Sequence, residues 1–104
     1  MRRIIDGKVF DTETAAQLCE LPCTANPGDF ARHESALYRS PRGRFFIAGR
    51  GGPASLWAEP AQGGGSTGGD GIRIVDEEEA RRWMEQAGCD EADFARAGLR
   101  VEEG

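Results

Sequence analysis

The apolar positions fall into short runs separated by turn-forming clusters. Arg3-Ile4-Ile5, Asp6-Gly7 and Lys8-Val9-Phe10 predict a hairpin, because Asp-Gly suits the two positive-φ positions of a type I′ turn. Asp11 to Thr14 offers N-cap oxygens, and Ala15, Leu18 and Cys19 recur at i, i+3, i+4. That spacing predicts a short helix with one apolar stripe, ended by Pro22. Residues 22–33 are rich in Pro, Asn, Gly and Asp and read as a connection. Residues 34–39 and 44–49 read as strands joined by Ser40-Pro41-Arg42-Gly43, where Pro fixes φ and Gly accepts a positive one.

Phe45-Phe46-Ile47-Ala48 is apolar at every position. A strand with one wet face alternates, so this one is expected at the centre of the sheet, covered on both faces. The covers expected are the first helix and a later helix or a partner. After the break from Gly49 to Pro53, residues 54–59 read as a third strand with Leu56 and Trp57 on opposite faces. Residues 62–71 hold six glycines and read as a flexible loop, since no Gly-Lys-Ser/Thr phosphate signature follows them. Ile72 to Val75 reads as a last short strand. Asp76, with Glu79 three residues later, has capping-box spacing, and Ala80, Trp83, Met84 and Ala87 form one stripe. Trp83 is the expected anchor of that helix, and Gly88 its stop. Asp90 opens a final short helix with Phe94 and Ala97 inward.

The order β-β-α-β-β-β-β-α-α has no long crossovers, which disfavours a parallel sheet. The expectation is one α+β domain over residues 1–104. It consists of a small twisted antiparallel β-sheet of four to six strands packed with two or three short α-helices. A chain of 104 residues has room for one core. Its longest apolar runs fall far short of the ~18–20 residues of a membrane helix. The start, Met1-Arg2-Arg3-Ile4-Ile5, lacks the roughly 7–15 apolar residues of a secretory signal. A cytoplasmic location is therefore expected.

The net charge of -5 is uneven. Residues 1–69 are nearly neutral, whereas most of the acids lie from Asp70 onward, so generic nucleic-acid binding by the whole surface is disfavoured. Three cysteines cannot all pair within one chain, and reduced thiols are expected. Cys19, Cys23, His33 and Cys89 are the one conceivable zinc set, but they lack the two short ligand pairs of a structural site. Neither metal nor cofactor is expected. No nucleophile–base spacing stands out around His33, and most acids sit at helix starts, where capping and the helix dipole explain them. The chain reads as a binding protein without catalytic residues.

Two surfaces are candidates for contact. One is basic: Arg39, Arg42, Arg44 and Arg50, with Trp57 beyond, where guanidinium groups suit phosphates or carboxylates. The other is acidic: Asp76, Glu77, Glu78 and Glu85, with Arg81 among them, which suits a basic groove on a partner protein. If Phe46 or Trp57 were exposed, a homodimer would be the natural remedy.

The segments Ile4-Ile5-Asp6-Gly7-Lys8-Val9-Phe10-Asp11-Thr12-Glu13-Thr14-Ala15, Leu37-Tyr38-Arg39, Phe45-Phe46-Ile47, Gly49, Gly51-Gly52, Glu78-Glu79-Ala80 and Trp83 together resemble a pattern of small prophage and integrative-element proteins. The chain departs from it in a longer glycine-rich loop and in the pair Cys19 and Cys23. The resemblance implies a mobile-element accessory protein, similar in size and acidity to phage-encoded anti-CRISPR inhibitors. The implied function is inhibition of a bacterial defence system by binding a CRISPR effector subunit. The alternative is a small nucleic-acid-binding accessory protein that uses the arginine hairpin.

Overall fold

The computed structural model describes residues 1–26 and 28–104. Asp6 and Gly7 both take positive φ, 51° and 73°, and close the hairpin of β1 (Arg2–Ile5) and β2 (Lys8–Asp11) as the sequence predicts. The expected helix after it does not form. Ala16–Glu20 is instead a strand, β3, which pairs with β4 (His33–Arg39). Its register slips between Gln17 and Cys19. A bulge of this kind sets two consecutive residues on one face. Leu18 and Cys19 therefore both reach the same core cluster. That is why the strand shows apolar spacing that imitates a helix. Pro27, within the expected 22–33 connection, lies outside the described residues.

The central hairpin forms as expected. Gly43 takes φ 84°, and Ser40 N donates to Arg44 O at 2.7 Å. β5 (Phe45–Gly51) lies between β4 and β8 (Gly69–Val75), giving an antiparallel sheet of order β3-β4-β5-β8. Phe45 to Ala48 is buried at all four positions, as a strand covered on both faces must be. The covers differ from expectation, since the first helix does not exist. Leu37, Phe45, Ile47 and Val75 face α1 (Glu77–Gln86) and α2 (Glu91–Arg96) through Ala80, Met84, Phe94, Ala97 and Leu99. Phe46 and Ala48 face the β1–β2 hairpin through Phe10. The Phe46 ring stacks on Tyr38 at 5.3 Å and meets Phe10 edge-on at 5.4 Å, both within the range of favourable aromatic pairs.

Residues 54–59 do not form the expected strand. Ser55 Oγ donates to Gly52 O and accepts from Trp57 N, which folds the segment into a turn. Only Glu59–Pro60 (β6) extends, pairing with Ser66–Thr67 (β7). The glycine-rich segment is shorter as a loop than expected, because β8 already begins at Gly69. Asp76 caps α1 by accepting from Glu79 N at 2.8 Å, but Glu79 turns toward Arg73 rather than back to the cap. The complete capping box belongs to α2, between Asp90 and Asp93. Trp83 is only half-buried; Ala80 and Met84 take the deepest places on α1. Leu99, expected in a trailing end, is buried in the core. No helix among the described residues is long and apolar enough to cross a membrane.

Candidate functional site

The antiparallel register decides which polar groups meet. Pairing of β4 with β5 sets Glu34 opposite Arg50 and His33 opposite Gly51, and β8 adds Gly69 and Asp70 beside them. Two open clefts meet here. One, of about 570 Å³, lies at the strand ends between Arg50, Glu59 and Asp70. The other, of about 670 Å³, lies beside Gln17, Tyr38 and Cys23. Arg32, His33, Glu34 and Arg50 line both. The charges are mixed. Arg50 pairs with Glu34 at 3.1 Å and Arg3 with Asp70 at 3.0 Å, both exposed, so each contributes at most ~1 kcal/mol.

Beneath this end runs a hydrogen-bonded chain. Trp57 Nε1 donates to Ser35 Oγ at 2.7 Å, and Ser35 Oγ lies 2.9 Å from His33 Nδ1. An indole N–H only donates, so Ser35 Oγ accepts from Trp57 and shares a second hydrogen bond with His33 Nδ1. The His33 ring is held below its ordinary pKa by burial and by Arg32. Glycines make room for the arrangement. A Cβ on Gly49 would strike Glu34 O and the Ser35 side chain, and the Trp57 ring lies over Gly71. The Ser35 hydroxyl therefore serves as the anchor of a buried tryptophan.

Cys23 sits on the rim of the second cleft. The His33 backbone N–H holds its thiol below the usual pKa, helped by the Ala25 N–H and by Arg32. His33 meets Cys23 through its backbone, while ring nitrogen Nδ1 is engaged at Ser35. Among the described residues no group of three His, Cys, Asp or Glu side chains is arranged to hold a metal ion.

The basic candidates do not form one patch. Arg42 and Arg44 are exposed at the tip of the β4–β5 hairpin. Arg50 lies at the other end of β5, roughly 20 Å away at the usual strand rise. Arg39 turns onto the helix-bearing face, 5.8 Å over the Phe45 ring and against Gly98. Its Nε is buried without a hydrogen-bond partner. Trp57, expected as a contact residue, is 7 % exposed and belongs to the core. Phe46 is likewise fully covered, so the ground for expecting a homodimer is absent.

The acidic candidates do share one layer. α1 and α2 pack on the same sheet face, and their outer sides carry the carboxylates. Asp76 is spent on the cap, and Glu77 lies 3.5 Å from Arg81, which also donates to Arg100 O. Glu78 and Glu85 are exposed. Neither takes part in an ion pair among the described residues, and the same holds for Glu91, Glu102 and Glu103. Sequence spacing gives no sign of the His33–Ser35–Trp57 chain, because its members come together only through the sheet and the turn over it. No known protein family, curated protein or solved structure matches the chain.

Proposed function

We propose that this is a contact protein: it acts by binding, through the outer face of α1 and α2, to a basic surface on a protein of a bacterial defence complex, of the CRISPR effector kind. One observation carries the binding surface. Glu78, Glu85 and Glu91 are exposed on the α1–α2 layer with no ion pair among the described residues. Carboxylates left unpaired on a helical layer steer and orient a basic partner. The nature of the partner is supported by the resemblance of the opening segment and central hairpin to mobile-element proteins. Co-purification with CRISPR effector complexes and a plaque assay in a CRISPR-active host test the reading. Binding that weakens with salt, and that is lost in the triple charge reversal E78K/E85K/E91K, is expected. Absence of binding and of phage rescue across several system types overturns it.

A second reading, nucleic-acid binding, is supported by Arg42 and Arg44, which are exposed at the hairpin tip and form no ion pair among the described residues. A complex in a low-salt mobility-shift assay that R42E/R44E abolishes would favour it.

A further inference from the structure

Cys19 and Cys89 lie far apart in the chain and side by side in the fold, their thiols within hydrogen-bond reach of each other. Cys19 is on β3, opposite Leu37, with its side chain on the helix-bearing face. Cys89 follows Gly88, whose φ of 76° turns the chain out of α1, and its N–H is fixed to Met84 O at 3.0 Å. Both thiols are half-buried against the same core cluster. Arg96 Nη2 donates to Leu18 O at 3.3 Å and holds α2 to the strand that carries Cys19. A shallow cleft between Leu21, Pro22, Gln86 and Ala87 opens beside Cys19, and Cys89 is itself partly exposed to small oxidants.

We infer that Cys19 and Cys89 form an oxidisable dithiol whose disulfide clamps β3 to the turn between α1 and α2. Hydrogen peroxide is a sufficient oxidant. The Cys89 sulfur attacks one peroxide oxygen, the O–O bond breaks, and Cys89 becomes a sulfenic acid with release of water. The Cys19 sulfur then displaces the sulfenic hydroxyl, which leaves as a second water with the Cys19 proton. Two thiols lose two protons and two electrons in all, and one peroxide becomes two waters. The order of steps follows from the surroundings of Cys19. Burial, with the adjacent Cys89 thiol next in effect, pushes its pKa up to about 12. Cys19 therefore stays a thiol and enters as the second, resolving partner. In a reducing compartment the pair stays open, and oxidation closes it.

The full chain carrying Cys23→Ser, which removes the surface thiol, is the material for the test. It is treated with low equivalents of hydrogen peroxide and analysed by intact mass and peptide mapping under non-reducing conditions. A monomer lighter by about 2 Da is expected, with a peptide linking residues 19 and 89, reversed by dithiothreitol. Closing so long a loop should raise Tm by on the order of 10 °C. Cys19→Ala and Cys89→Ala should each abolish the mass loss. Where either variant fails to fold, the linked peptide in the Cys23→Ser chain decides alone. An unchanged mass, or sulfinic acid on Cys89 with Cys19 free, overturns the inference.

Discussion

The helix-bearing face of the sheet is covered in two different ways along its length. At one end Leu37, Phe45, Ile47 and Val75 meet Ala80, Met84 and Phe94, so large side chains interdigitate with two helices. At the other end the same strands carry Gly49, Gly51 and Gly71, and one turn lays Ser55 over Gly51 and the Trp57 ring over Gly71. The first cover spreads its stabilisation over many apolar contacts. The second depends on a single ring, one indole hydrogen bond and the absence of Cβ atoms beneath. The end with the concentrated cover is also where His33, Cys23 and both larger clefts lie. Polar groups gather where the cover is thin.

The largest expected loss comes from the shared centre. Phe46→Ala removes a fully buried ring that stacks on Tyr38 and meets Phe10 edge-on, and should cost about 3–5 kcal/mol in denaturant unfolding. Ile47→Ala, beneath the helices, should cost about 2–5 kcal/mol. Trp57→Phe keeps most of the ring but strips Ser35 of its donor, and a loss of about 1–3 kcal/mol is expected. If the two ends are distinct, Trp57→Phe should also speed hydrogen exchange at residues 49–52 while leaving α1 little changed. Equal acceleration at both ends would erase the distinction.

Two pH effects separate the ends again. Cys19 titrates near 9 when unfolded and about 12 when folded. Stability is thus intact below pH 9 and falls as pH rises through the window up to 12, because only the unfolded chain releases the proton there. Cys19→Ala should flatten that decline in urea midpoints. At the other end His33 is held below 6.5. The unfolded chain binds a proton first as pH drops below 6.5, so stability falls on acidification. His33→Gln should reduce that slope. The smallest effect is expected at the surface: Glu78→Lys should shift folding stability by no more than ~0.5 kcal/mol.

The two covers were unequally visible in the sequence. α1 announces itself by Asp76 and its apolar stripe, and the central hairpin by Pro41 and Gly43 beside an unbroken apolar run. These signals are local, and local chemistry decides them. β3 misleads because its bulge at Leu18 breaks the two-residue period by which strands are read. Trp57 misleads because its partners, Ser35 and Gly71, belong to two strands distant in sequence. No window of sequence holds them together. The same reason hides the separation of Arg39, which leaves β4 on the helix-bearing face, from Arg42 and Arg44 at the exposed hairpin tip.

The two tryptophans make the molecule its own optical instrument. Trp57 is sealed with its indole N–H bonded, while Trp83 is half in water on α1. Emission from the first should be blue and resistant to acrylamide, and from the second redder and quenchable. Each cover can then be followed without a label as it loosens or meets a partner.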